Sequence, residues 1–573
     1  MRGRATGAAL GLVLAVVLAG CSLPGGDPPS SSESASSGSS STSSSAAEAE
    51  LVETFEQPAK GRDWVVLVED PQETDRVADD LEQAGLALTS VNRGIGMVTL
   101  RSTREDVRAS AEDVDGVVQA VTDQGVGWSP DEEPTSSPED TEPADSTLQP
   151  PAPPEGGDPF DGWLWGMAEI NAAEARSVTT GSPDVRVGVI DTGVDSSHPD
   201  LVERVDAERS RSFVTDIPGL DGACEHDGCV DPVGSDDNGH GTHVAGTIAA
   251  SANGLGVQGL APEVGIVDLR AGQDAGYFFL GPVANAITAG AGQELDVLNM
   301  SFYVDPWLYS CPGGAPEDSP AQAAAQDVTI ELMRRSLELA HEQGVTLVTA
   351  AGNNSRDLAD PGTDNTSPNF GGSTHERTLN RDCRQLPLDG PHVIGVSSID
   401  EDLTRSGFSN YTSDPGSDDV ALAAPGGTGD DNGLPILSTA SRDELLATGD
   451  VDDRGRVTVS GAQKGIVRGC PEGIGRGEPD PDAQCGLYTW LMGTSMAAPH
   501  VSGAAALVIS ENDGPMAPDE VVQTLRRSAR DHGCTAPGSD EDGGGGTSAV
   551  CTGTTERNGF FGDGILDAAA AVR

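Results

Sequence analysis

Three short stretches carry side chains that could do nucleophilic chemistry. Val187-Gly188-Val189-Ile190-Asp191-Thr192-Gly193 places an Asp just past an apolar, strand-like run. Asn238-Gly239-His240-Gly241-Thr242-His243-Val244-Ala245-Gly246 places a His at the start of a helical pattern. Gly493-Thr494-Ser495-Met496-Ala497-Ala498-Pro499-His500 places a Ser at the start of a helix of small residues. A serine hydroxyl is a poor nucleophile until a neighbouring base takes its proton. An imidazole titrates near neutrality and suits that task. An Asp would hold the ring in the right tautomer and stabilise its charged form. The positive end of a helix beside the serine would favour developing negative charge. Singly, each has an ordinary reading: a turn Asp, a structural His, a close-packing helix. His243 and His500 taken alone read as structural. An esterase of the α/β-hydrolase type would need a GxSxG elbow and Ser ahead of Asp and His. Neither is found around these residues.

The elements that must position these groups read as an α/β fold. Apolar strand patterns at 185–190, 264–269, 297–302, 345–349 and 393–396 alternate with helical segments. That alternation indicates a largely parallel sheet. Its ligands should sit beyond the strands' C-terminal ends. A separate block at 64–124 has strands at 64–68, 86–91, 95–100 and 117–122 and helices at 74–84 and 103–113. Asn92-Arg93-Gly94 is a hairpin signal between the second and third strands. Ser102 and Glu105 have capping-box spacing ahead of the second helix. The order βαββαβ is the ferredoxin-like α+β arrangement.

With all three extended motifs present in the order Asp, His, Ser, the chain closely resembles the subtilisin-like serine proteases, or subtilases, over about 161–572. Gly562-Asp563-Gly564-Ile565-Leu566-Asp567-Ala568 is similar to the family's terminal motif. The resemblance implies a subtilisin-like, mostly parallel sheet with helices on both faces. It implies that Asp191 orients, His240 is the general base and Ser495 attacks the scissile carbonyl. Ala350-Ala351-Gly352-Asn353 matches the family's oxyanion segment, so Asn353 should donate to the tetrahedral oxyanion together with the Ser495 backbone N–H. Ser301, Phe302 and Tyr303 fall where the family has its pocket-wall strand, and Gly276, Tyr277 and Phe278 where the opposing strand should lie. A substrate peptide would add as a strand between them. Tyr303 stands where the family usually has Gly, and would narrow the pocket. Insertions at 304–326 and 355–389 read either as specificity elements or as surface loops pinned by Cys311 and Cys383. Ser197-His198-Pro199-Asp200 and Asn253-Gly254-Leu255-Gly256-Val257 resemble the family's strong calcium site. Asp200, Asn253, the carbonyls of Leu255 and Val257, and Asp161 would be ligands of a structural Ca²⁺, a hard cation that prefers oxygen. The 64–124 block resembles the subtilase propeptide, an intramolecular inhibitor. A retained binding domain is its alternative role.

The N-terminus reads as an export signal. Arg2 and Arg4 precede an apolar core at 8–19 that is too short to span a bilayer. Leu18-Ala19-Gly20-Cys21 resembles the lipobox of bacterial lipoproteins, which implies lipidation of Cys21 and an anchor on the outer membrane face. Residues 30–45 hold 12 Ser, a flexible tether by composition. The expected organisation is a signal peptide at 1–20, lipidated Cys21 and tether at 21–61, and propeptide domain at 62–127. A Pro- and acid-rich linker at 128–160 and a catalytic domain at 161–573 follow. Eight further cysteines outside the cytosol read as disulfides. They permit 105 pairings, of which 224–229, 311–383, 470–485 and 534–551 are the simplest. Zinc ligation is a weak rival, since no CxxC pair exists. The net charge of −59, from 33 basic and 92 acidic residues, opposes binding to nucleic acid. The function expected is a monomeric serine endopeptidase made as an autoinhibited precursor. A catalytically idle, lipid-tethered peptide-binding protein is the alternative.

Overall fold

The computed structural model describes residues 51–55, 61–123 and 150–573, apart from 225, 227, 371–373, 429–432, 472–484, 513 and 535–548. Cys21, the signal segment and most of the linker lie outside the described residues. The main sheet is built from β6 (Arg186–Asp191), β7 (Arg211–Ser212), β8 (Gly265–Arg270), β9 (Val297–Met300), β10 (Thr346–Ala350), β11 (Val393–Ile399) and β12 (Leu422–Pro425). These are preceded in the chain by five strands of a smaller sheet. The main order is β12-β11-β10-β9-β6-β8-β7, and each neighbouring pair is parallel. Successive side chains along a strand face opposite ways, and both faces here are apolar. Val187, Val189 and Val348 pack with α3 (His240–Ala249) and a helix at Thr494–Glu511. Ile190, Leu298 and Leu347 pack on the other side with α4 (Leu280–Ala291) and α5 (Pro320–Glu342). The Thr494–Glu511 helix is α6, and α7 is Pro518–Ser528. Burial on both faces explains why these strands read as continuous apolar runs. The short strands 211–212 and 422–425 were not anticipated, and the strand expected at 297–302 stops at Met300.

The smaller sheet comprises β1 (Val52–Thr54), β2 (Arg62–Val68), β3 (Leu88–Asn92), β4 (Met97–Ser102) and β5 (Val117–Thr122), in the order β1-β3-β4-β2-β5, all antiparallel. With α1 (Thr74–Gln83) and α2 (Val107–Glu112) it forms the expected ferredoxin-like arrangement. One strand is extra: β1 lies in the segment expected to be tether and pairs with β3. The second helix is shorter than 103–113, and the Ser102–Glu105 box is not made. Ser102 Oγ instead accepts from Arg104 N at 3.1 Å, and Asp106 stands before the helix, tied by the Arg104 guanidinium. That local ion pair competes with helix start.

One face of the small sheet packs Val65, Leu67, Ile95, Met97 and Val121 onto α4 and α5. Polar bonds fix this junction. Arg335 of α5 donates to the carbonyls of Val68 and Ile95 at 2.9 and 3.0 Å. Asn285 donates to Ser90 and accepts from Asn92, and Asp123 accepts from Gly281 N at the start of α4. The main body also begins earlier than residue 161: Phe160 is buried between Trp163 and Tyr488, and Asp158 is buried beside it. All four disulfides join the sequence neighbours expected, Cys224–Cys229, Cys311–Cys383, Cys470–Cys485 and Cys534–Cys551. Cys311–Cys383 ties the two insertions together. Among the described residues no helix is long and apolar enough to cross a membrane.

Candidate active site

Asp191 ends β6, at the C-terminal edge of the sheet, and is fully buried. Its Oδ1 accepts from Thr192 N at 2.8 Å and faces His240 Nδ1 at 2.7 Å. His240 is the first residue of α3, about a quarter exposed, and Gly239 caps it with φ 89°. The close pass of α3 over the β6 end requires glycine at 241, where a Cβ would lie 2.1 Å from the Gly193 carbonyl. Asp236, which the sequence reading did not single out, anchors the whole turn. Its carboxylate accepts from Thr192 Oγ1, Asn238 N, Gly239 N, Thr242 N and Thr242 Oγ1. Its signal was an acid four positions before His240, indistinguishable by type from many other loop acids.

Ser495 is the second residue of α6. Its hydroxyl donates to the Ser301 carbonyl at 3.1 Å, while Ser301 Oγ donates to the Ser495 carbonyl at 3.1 Å. Asn299 donates to Ser301 Oγ and accepts from Ser502, so β9 and α6 are cross-bonded beneath Ser495. Asn353 follows β10. Thr494 donates to its Oδ1 from both N and Oγ1 at 2.9 Å. With the oxygen held, the amide NH₂ is the end left to donate. Gly493 has φ 151°, and a Cβ there would come within 3.3 Å of Asn353 Nδ2. Any side chain at 493 would therefore crowd the donor. His243 and His500 bond to the carbonyls of Ile436 and Met496, and burial lowers them to about 3 and about 4. They stay neutral and structural, as their sequence contexts suggested.

Burial alone would lower the His240 pKa. The charge of Asp191 and its hydrogen bond outweigh that, so the net shift is upward from 6.5. A protonated ring cannot accept a serine proton. Turnover is expected to fall on acidification with a midpoint above pH 6.5. A pH profile of kcat/KM reads this, and a midpoint below 6.5 would contradict it.

The two segments expected to line the substrate cleft are brought together, but not as strands. Residues 276–278 lie in the approach to α4 and 301–303 follow the end of β9. The Phe278 and Phe302 rings stack with centroids 4.4 Å apart, filling the space between the two segments. Asp305 holds them in register: its Oδ2 accepts from Phe278 N at 2.6 Å and its own N donates to Phe278 O at 2.8 Å. Asn369, from the second insertion, donates to Tyr303 Oη at 3.0 Å and to Asp305 Oδ1 at 2.6 Å. The insertion is thus bonded to the substrate edge at Tyr303. Tyr277 packs its ring on Phe279 and Phe370.

A second cluster gathers the residues that resemble a calcium site. Asp200 Oδ1 lies 3.0 Å from Asn253 Nδ2 and its Oδ2 accepts from Tyr488 Oη at 2.8 Å. Asp161 accepts from Gln258 N and Asp158 N, and Asp158 accepts from the N–H groups of Asn253 and Gly254. Burial raises Asp200 to about 7 and Asp161 to about 6, and raises Asp158 as well. Among the described residues no N–H donates to the carbonyls of Leu255 or Val257. Three buried carboxylates in one loop cluster supply the hard oxygen donors that calcium takes, but their oxygens do not all lie within 4.8 Å of one another, so closing on an ion requires them to draw together. Asn253 turns its NH₂ inward, so a ligand role requires that amide turned end for end. Asp158 was not anticipated, because it sits in a stretch whose acids read as solvated linker.

A model of the "Subtilase family" matches residues 182–547. Fervidolysin of Fervidobacterium pennivorans is 28% identical over 365 residues, covering 62% of this chain and 39% of fervidolysin. Subtilisin DY of Bacillus licheniformis is 26% identical over 347 residues, covering 61% of this chain and 84% of its own. The crystal structure of the epidermin leader peptide processing serine protease of Staphylococcus aureus superposes with TM-score 0.57 at 18% identity, covering 90% of this chain and 98% of that one.

Proposed function

The chain belongs to the subtilase family, and from that premise we propose that it is a serine endopeptidase of extracytoplasmic proteins, made as an autoinhibited precursor. The observation that carries this reading is His240 Nδ1 at 2.7 Å from the buried Asp191, at the sheet edge that also holds Ser495 and Asn353. Asp191 keeps the proton on Nδ1, which leaves Nε2 as the base. Nε2 takes the Ser495 Oγ proton as Oγ bonds to the scissile carbonyl carbon. The carbonyl oxygen, now negative, accepts from Asn353 Nδ2 and Ser495 N–H. Collapse breaks the C–N bond, and His240 gives its proton to the leaving amine. Water, activated by the same ring, then releases the acyl group. A fluorophosphonate is expected to label Ser495 in the processed enzyme. An unlabelled Ser495 in folded, processed protein would favour the catalytically idle peptide-binding alternative.

The small domain acts as the propeptide. Its apolar sheet face covers α4 and α5, the helices that follow residues 276–278 and 301–303 along the chain. The lipid on Cys21 is in the same part of the chain, so the precursor is held at the outer membrane face. A structural Ca²⁺ is held by Asp200, Asp161, Asn253 and the carbonyls of Leu255 and Val257, with Asp158 beside them. Its charge would offset the burial that raises these acids. Free calcium at about 100 times its Kd would add about 2.7 kcal/mol of stability. The expected result is a lower Tm for full-length Ser495→Ala protein in EDTA than in calcium. An unchanged Tm would contradict the site.

A further inference from the structure

We propose a second metal site, for a zinc-like transition-metal ion, formed by His341, His392 and Asp519 at the end of the sheet away from the active site. His341 is in the last turn of α5, ahead of β10. His392 immediately precedes β11. Asp519 is in the first turn of α7. All three therefore lie by the N-terminal ends of β10 and β11, whereas Asn353 follows the C-terminal end of β10. One ligand atom from each lies within 4.8 Å of the others. His341 Nε2 is 3.2 Å from Asp519 Oδ1. The two imidazoles stack with centroids 3.7 Å apart and planes 9° from parallel.

Two features set this cluster apart from a chance surface grouping. The two rings stack face to face instead of pointing apart into solvent. His392 also adopts φ 64°, a left-handed conformation uncommon for a residue with a Cβ. Nitrogen and carboxylate donors suit zinc and its neighbours better than calcium or magnesium. Ligands on one tetrahedral zinc, each at about 2.1 Å, sit roughly 3.4 Å apart. Reaching that geometry requires the stacked rings to splay, which is a side-chain rotation at a surface site. His392 and Asp519 also line a polar cavity of about 640 Å³, which gives the ion an entry path and room for water ligands. The ion would tie together three segments distant in sequence: the end of α5, the entry to β11 and the start of α7. It would add stability without entering the reaction.

The test uses full-length Ser495→Ala protein, so that self-cleavage does not intrude, with Zn²⁺ and Co²⁺ as probes. Calcium is kept in excess to hold the oxygen site constant. One equivalent of Zn²⁺ should bind with micromolar Kd and raise the Tm, and Co²⁺ should develop the visible bands of low-symmetry coordination. Partners that only support metal ligands are worth about 10- to 100-fold in affinity. Loss of a ligand in His392→Asn should therefore weaken zinc by at least about 100-fold and remove the Tm rise. Asn tolerates the left-handed backbone, so this variant should fold. Asp519→Asn, on an exposed side chain, provides an independent arm with weakened zinc binding. Zinc affinity unchanged in both variants would place the ion elsewhere and overturn the proposal. Absence of binding at submillimolar Zn²⁺ would overturn it equally.

Discussion

Ser495→Ala is expected to lower peptide turnover by about 10⁶-fold, the scale of loss when a subtilisin nucleophile is removed. The physical reason is that no other group at the β9–α6 junction can form the acyl bond. The hydroxyls bonded around Ser495 are committed elsewhere, Ser301 Oγ to the Ser495 carbonyl and Thr494 Oγ1 to Asn353 Oδ1. Asn353→Ala should fold and lose about 10² to 10³, because the Ser495 N–H still supplies one oxyanion donor. If self-processing uses the same nucleophile, Ser495→Ala should also remain uncut between the small sheet and the main body. The consequence is spatial. A lipid on Cys21 would stay with the propeptide after a cut, not with the catalytic domain. Cell fractionation with a tag at Arg573 should find the Ser495→Ala chain on membranes and the wild-type catalytic domain largely released. Equal retention of both, with the wild type demonstrably cut, would refute release and mean that the propeptide keeps hold of the enzyme. Full turnover in Ser495→Ala would refute the site itself.

Arg377→Leu is expected to destabilise the main body by about 3 to 5 kcal/mol, the usual effect of removing one partner from a buried ion network. Arg377 is fully buried between the two insertions. It bonds Asp318 Oδ1 at 3.1 Å, Asp364 Oδ2 at 3.0 Å, the Tyr309 carbonyl at 3.0 Å and Gln326 Oε1 at 2.6 Å. Its guanidinium also lies 4.7 Å from the centre of the Trp307 ring. Without it, two buried carboxylates lose their shared guanidinium, and His375 Nε2, 3.0 Å from Asp318 Oδ1, is the basic group that remains beside them. The sign of the pH dependence separates this from plain loss of packing. In the wild type, burial alone would raise Asp318 and Asp364, but their hydrogen bonds and the Arg377 charge leave both below 3.8. Their contribution is present above pH 3.8 and is lost as pH falls through the lowered values. In Arg377→Leu, Asp318 loses its largest opposing interaction and burial pushes it up, while Asp364 keeps its bonds from Ser367 and Thr366, so the folded form takes up a proton at Asp318 and the variant's deficit should shrink from pH 7 toward pH 5. Melts across that range should show the variant's deficit shrinking on acidification. A deficit independent of pH would show that the charges are not what Arg377 offsets. Asn369 connects the same insertion to Tyr303, so a loosened insertion should also alter cleavage preference.

The sheet, and the four residues expected to react at its edge, were legible along the chain. Asp191, His240, Asn353 and Ser495 each sit where a strand ends or a helix begins, and such boundaries are written in local spacing. The parallel strands were legible because burial on both faces leaves an unbroken apolar run. Three disulfides close loops of 5, 15 and 17 residues, where a short loop leaves little choice of partner, while Cys311–Cys383 spans 72 and depends on the two insertions meeting. Other features depended on which surfaces meet. The Ser102–Glu105 box was a sound local pattern, yet the Arg104–Asp106 pair took over the same turn. Asp158 and Phe160 looked like the end of a solvated linker, and only the packing of Phe160 on Tyr488 placed them in the body. Val52–Thr54 gained a strand because the edge of β3 was open to it. Arg377, Asp318 and Asp364, and likewise His341, His392 and Asp519, are isolated polar residues along the chain. Their partners lie 13 to 178 positions away. No local period links such residues. Their meaning comes from the close approach of loops and helix ends, which the tertiary structure alone decided.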